Sequence, residues 1–234
     1  VSVVLTQNME WASARSKRGR KLLSRAFAED PSILCLTEAF ENSVVKGYSI
    51  SSDEDYGYAL KPGRRKVILW SNAPWENVVT NVPQMPSGRI VSAETKLGSH
   101  PVKIIGVCIP WAQAHVSTGR KNANNWSEHE DWLKAFDKWL APKLERTIIL
   151  GDFNQRLPRR TQPHKVYSLM NEIIESRFEV VTQNLTDTDG HHTVDHIGIT
   201  KDLISDKVFV VSRFDETGKR LSDHMSVGAS IGAR

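Results

Sequence analysis

Apolar residues along this chain fall in short runs, and most runs stop at a small group of Asn, Asp, Glu or His. Residues 1–5 read as a buried strand ending at Gln7 and Asn8, and residues 32–36 as a second ending at Thr37 and Glu38. Residues 147–150 run straight into Gly151, Asp152, Phe153 and Asn154. Two stretches look like strand pairs: 56–60 with 67–70 around Lys61-Pro62-Gly63, and 89–95 with 102–109 turning over 97–101. Residues 179–182, 193–200 and 207–211 are later strand candidates, and 225–231 form a last one behind Ser222, Asp223 and His224. Helical spacing appears over 18–28, with apolar residues at 22, 23, 26 and 27 and a stop at Asp30-Pro31. It recurs over 124–140, closed by Pro142, and over 166–176. Strands outnumber helices and include hairpins, which argues against one purely parallel sheet. The pattern predicts an α/β (α+β) sandwich with helices outside.

Composition narrows this only slightly. A chain of 234 residues with 39% hydrophobic and 25% charged residues fits one globular domain over 1–234 with its own core. Cys35 and Cys108 both sit inside apolar runs and read as reduced core thiols. No run approaches the roughly 20 apolar residues that a membrane span needs, so no membrane insertion is expected, and the cytoplasm is the default compartment. Nothing asks for an obligate protein partner. The formal charge of +4 permits a polyanionic ligand, and basic residues gather at 15–21, 61–66 and 156–165.

The polar residues at the strand ends carry the chemistry. A hard divalent cation takes oxygen ligands and needs only one or two protein carboxylates beside substrate phosphate, a role that suits Glu38. A phosphodiester attacked by water needs a base, which Asp152 supplies. It also needs donors for the charge that develops on the phosphoryl oxygens, and Asn154 and a protonated His224 fit that need. A histidine aimed at phosphate is best held by a carboxylate on its other nitrogen, and Asp195 suits that part. Taken singly, each of these residues has an ordinary structural explanation; their order along the chain is what points to a site. His191-His192 reads as an exposed loop, and Asp187 and Asp189 as a polar turn.

Those motifs resemble the endonuclease/exonuclease/phosphatase superfamily. LTQNM at 5–9 and ILCLTE at 33–38 are similar to its first two motifs, SGRIVSAE at 87–94 to the strand with a phosphate-contacting arginine, and VCIPW at 107–111 to its strand-Pro motif. ILGDFNQRLP at 149–158, TVDHIGIT at 193–200 and LSDHMSV at 221–227 follow in family order. The resemblance implies a four-layer αββα sandwich, two mixed β-sheets packed face to face with helices outside. It implies a Mg²⁺-dependent hydrolase, with Mn²⁺ as a substitute. Glu38 is then the metal ligand, with Asn8 and Asp223 near the metal. Asp152 is the base, Asn154 the transition-state stabiliser, Asp195 the acid that orients His224, and Arg89 a phosphate contact. Relatives carry Tyr in the strand-Pro motif or His nearby; here Val107 and Cys108 stand there, and His115 is the candidate to take over. The basic balance, Arg89 and the cluster that includes Arg156 favour a nuclease, DNA above RNA, with Trp111 and Trp126 as stacking candidates. NQRL at 154–157 faintly resembles inositol 5-phosphatases, which keeps a phosphoinositide or other small phosphoester as the alternative substrate. A non-catalytic module of the same fold is the least favoured alternative.

Overall fold

Two six-stranded mixed sheets lie face to face in the computed structural model, which describes residues 1–234. The first half of the chain supplies β1 (Ser2–Asn8), α1 (Lys17–Ala28), β2 (Ile33–Phe40), β3 (Tyr48–Ser51), β4 (Arg64–Ser71), β5 (Glu76–Val79), β6 (Ile90–Leu97) and β7 (His100–Cys108). The second half supplies α2 (Ser127–Trp139), β8 (Thr147–Asp152), α3 (His164–Glu175), β9 (Glu179–Val180), β10 (Asp195–Ile199), β11 (Leu203–Val211) and β12 (Ser226–Ala233). Strand order is β11-β12-β1-β2-β4-β3 in one sheet and β5-β6-β7-β8-β10-β9 in the other.

Each sheet is built around one parallel pair, β1 with β2 and β7 with β8, joined by α1 and α2 respectively. Parallel neighbours need such a crossover because the chain must return to its starting edge. The central strands are apolar on both faces, and alternate residues feed different layers. Val4, Ile33, Cys35, Ile104, Ile148 and Leu150 fill the space between the sheets. Their neighbours Leu5, Leu34 and Leu36 pack under α1, while Ile105, Val107 and Ile149 pack under α2 and α3. Helix α1 buries Leu22, Leu23 and Ala26 on one stripe, and Ser16 caps it by accepting a hydrogen bond from the Gly19 N–H. These layers are the predicted αββα sandwich. Gly106 lets the sheets approach: a Cβ there would lie 2.8 Å from Leu69 Cδ2 of the opposite sheet. No helix is long and apolar enough to cross a membrane.

Two expectations change. Residues 56–60 are not a strand; β4 pairs instead with β3, and 56–60 form a loop beside the end of the sandwich. The apolar runs predict neither β3 nor β5. Both β3 and β5 are edge strands without a buried residue, which need no buried face and so show no apolar run.

Candidate active site

The parallel strands β1, β2, β7 and β8 end at the same pole of the sandwich. Strands β10 and β12 run antiparallel to them, so their first residues arrive there too. Asn8 closes β1, Glu38 stands near the end of β2, Asp152 closes β8, Asp195 opens β10, and His224 precedes β12. Asn8, Glu38, Arg89, Asp152, Asn154, Asp223 and His224 line one cleft of about 470 Å³. Asp195 lies behind it. Asp152 pairs with Asp195 across β8 and β10, which places the two carboxylates side by side. Gly151 permits this register: at its φ of +134° a Cβ would sit 2.0 Å from the Val107 carbonyl oxygen.

His224 Nδ1 donates to Asp195 Oδ2 at 2.5 Å. Burial alone would strip the imidazole of its proton, but Asp195, with Asp152 and Asp223, outweighs it and raises the pKa to about 10. His224 is therefore a cation at neutral pH. Asp152 is buried, and burial raises its pKa to about 7, helped by repulsion from Asp195 and Glu38 and opposed by His224. Its Oδ1 accepts the Asn154 N–H at 2.9 Å, and its Oδ2 lies 3.3 Å from Asn8 Nδ2. Asn154 has a φ of +53° and anchors its amide on the Ile109 carbonyl at 2.8 Å. Asp195 is likewise raised by burial, with His224 pulling the other way. A base near neutrality beside a cationic histidine suits general-base attack on a phosphoester.

The rest of the cleft is cationic and aromatic, and most of it was not singled out as site residues. Lys61, Arg64 and Lys66 of the second basic cluster line it, with Trp11, Tyr56, Tyr58, Thr118 and Trp111. The Arg64 guanidinium lies 4.4 Å over the Trp11 ring, and Trp11 stacks on Tyr56 with centroids 5.8 Å apart. The predicted phosphate contact His115 does not line the cleft. It is buried behind Tyr58, its ring stacked on the phenol ring at 4.3 Å and its backbone N–H donating to the Tyr58 hydroxyl at 3.2 Å. Burial alone would raise the Tyr58 pKa, but hydrogen bonds from Thr118, the His115 N–H and Trp111 bring it below the usual range. Tyr58 thus stands where His115 was expected. Arg156 is exposed and outside the cleft. Trp111 is on the cleft and exposed, whereas Trp126 packs edge-on against buried His129. A larger cavity, about 860 Å³, lies at the opposite pole, around Lys103, Arg146 and Lys201, and holds none of the predicted residues.

The donors fit a hard cation. Glu38 and Asp223 offer carboxylate oxygens to the cleft and Asn8 an amide, and an ammonium, that of Lys66, already sits 2.5 Å from Glu38 Oε1. Cys108 offers no thiolate: burial pushes its pKa up to about 12. The compact group Asp152, Asp195 and His224 is an acid–histidine arrangement in which Asp195 and His224 are already bonded to each other, with Asp152 beside them. A second group, Asp187, Asp189 and His191, is a turn in which Asp187 accepts two backbone N–H groups and pairs with Arg213.

No curated protein sequence matches the chain. Solved structures share its fold at low identity. An AP endonuclease from Archaeoglobus fulgidus is 15% identical with a TM-score of 0.69, over 98% of this chain and 99% of that one. A 3′–5′ exonuclease from Neisseria meningitidis is 15% identical with a TM-score of 0.65, over 97% and 98%. An endonuclease/exonuclease/phosphatase from Beutenbergia cavernae is 14% identical with a TM-score of 0.68, over 99% and 71%. Residues 5–224 match the Endonuclease/Exonuclease/phosphatase family as a whole. The chain therefore belongs to the endonuclease/exonuclease/phosphatase family, whose members are hydrolases acting on phosphoester bonds.

Proposed function

We propose that this protein hydrolyses the phosphodiester bonds of nucleic acid, DNA in preference, with Mg²⁺ as cofactor and Mn²⁺ as its substitute. The observation that carries the reading is the His224–Asp195 pair beside the near-neutral base Asp152, in a cleft lined by Lys61, Arg64 and Arg89. Ordinary carboxylates are too acidic to take a proton from water efficiently; Asp152, raised to about 7, is matched to that task. In this reading Asp152 orients a water in line with the scissile bond and takes its proton. Asn154 and His224 hold the phosphoryl oxygens, and Asp195 keeps His224 charged and aimed. Arg89, buried at 3% exposure with one nitrogen on the Cys108 carbonyl, presents its remaining donors to phosphate. Glu38, with Asn8 and Asp223 beside it, would hold Mg²⁺, which when bound neutralises charge on the phosphate and on the departing oxygen. The products are a 5′-phosphate and a 3′-hydroxyl.

The cationic and aromatic rim supports a polyanion with stacking bases over a small phosphoester. The test is a panel of supercoiled plasmid, abasic duplex, single-stranded DNA, RNA and a phosphoinositide, in Mg²⁺, Mn²⁺ or EDTA, beside Asp152→Asn. Metal-dependent cutting of nucleic acid that the variant loses by orders of magnitude is the expected result. Release of phosphate from the phosphoinositide alone would overturn the nuclease reading.

A further inference from the structure

Lys66 is a buried ammonium whose single carboxylate partner is the residue proposed to hold the metal. It enters from the start of β4, opposite Glu38 of β2, between the paired positions Thr37 with Val67 and Ala39 with Arg65. Glu38 has a φ of +50°, and its carbonyl accepts the Trp11 N–H, so the β2 ladder is interrupted there. The Lys66 Nζ reaches Glu38 Oε1 at 2.5 Å with its side chain only 11% exposed. The rings of Trp11 and Tyr56 flank the ammonium at 5.3 and 5.5 Å.

A cation this buried requires a counter-ion. Glu38 supplies it in the protein alone. A divalent cation on Glu38 would claim that charge and add its own beside Lys66. No other carboxylate is paired with Lys66: Asp152 is held by Asn8 and the Asn154 N–H, Asp195 by His224, and Asp223 stands beside His224. The counter-ion that remains is a phosphate oxygen of a bound substrate.

We propose that Lys66 is a catalytic cation that gives up Glu38 when the metal takes that carboxylate and passes to a non-bridging oxygen of the substrate phosphate. The inference rests on the proposed function and adds a coupling to it. In the free cleft the ammonium opposes metal binding. In the loaded cleft it strengthens phosphate binding, so metal and substrate favour each other.

Titration calorimetry of the wild type, Lys66→Met and Lys66→Arg with Mg²⁺ and Mn²⁺, then with inorganic phosphate at saturating metal, tests this without relying on turnover. Removal of the charge in Lys66→Met is expected to tighten metal binding about tenfold or more and weaken phosphate binding by a similar factor. Lys66→Arg is expected to stay within about threefold of wild type on both counts. Lys66→Gln serves as a second neutral variant if thermal melting shows that Lys66→Met does not fold. Unchanged or weaker metal binding in the neutral variant would overturn the inference, because Lys66 would then merely orient Glu38. If the wild type still shows metal-dependent hydrolysis, that failure is confined to Lys66. Absence of metal binding in every variant would remove the proposed metal site as well.

Discussion

Asp195→Asn isolates the charge that keeps His224 protonated. Asp195 is 1% exposed and bonded to His224 Nδ1 at 2.5 Å, so the amide retains shape and an acceptor oxygen while losing the charge. Burial, opposed then only by Asp152 and Asp223, lets the His224 pKa fall from about 10 toward the ordinary histidine value. With that ordinary value near 6.5, His224 at pH 8 goes from about 99% protonated to about 3%, a loss of roughly 30-fold. At pH 6 the variant is still about three-quarters protonated, and the loss is under about twofold. The defect therefore grows about tenfold per pH unit above neutrality. Asp152 loses a repelling neighbour at the same time, so its pKa moves down and the acid limb of the profile shifts to lower pH. The assay is kcat/KM on a fluorogenic oligonucleotide from pH 5.5 to 9 at saturating Mg²⁺, with melting curves at each pH. A loss of the same size at every pH, or none at pH 8, would refute the assignment of His224 as a cation held by Asp195.

Two further expectations concern the supports of the site. His129 and His196 are buried and neutral, donating to the Pro110 and Gln155 carbonyls, and burial lowers both to about 4. A histidine depressed in the folded state is protonated first in the unfolded chain, so its contribution to stability is lost as pH falls from about 6.5 toward 4, by up to about 3 kcal/mol for each; the raised Asp152 and Asp195 act in the opposite sense over that window, so urea melts of the wild type and of His196→Gln at pH 7 and 4.5 isolate the histidine, and an equal pH dependence in the two would contradict it. Tyr58→Phe removes a cleft hydroxyl held by the His115 N–H and should raise KM about three- to tenfold with little change in melting temperature, and an unchanged KM would place Tyr58 outside substrate contact.

The residues proposed for the acid–base chemistry were legible in the linear chain. Asn8, Glu38, Asp152 and Asn154 follow apolar runs, and a run buried on both faces can place polar groups only where it ends. Asp195 and His224 were legible for the mirror reason, at the starts of strands that run the other way. The sandwich class followed from the same runs, because an excess of strands with hairpins leaves few other ways to bury them. Edge strands β3 and β5 escaped because exposure removes the apolar signal on which strand recognition depends.

What the tertiary structure alone decided is who meets whom across sequence distance. Lys66 lies 28 residues from Glu38 and reaches it only through the register of β4 on β2 and the positive φ of Glu38. Tyr58 rather than His115 faces the cleft because loop packing turns the histidine inward, with Gly57 and Gly119 leaving room against its ring. Arg156 follows Asn154 by two residues yet stays outside the cleft, since Gln155 between them is buried against His129 and the chain turns away. A residue's chemical type and its place on a strand are local properties, readable in one dimension. Charge pairing and cleft lining depend on register and loop packing between distant segments, which exist only once the chain has folded.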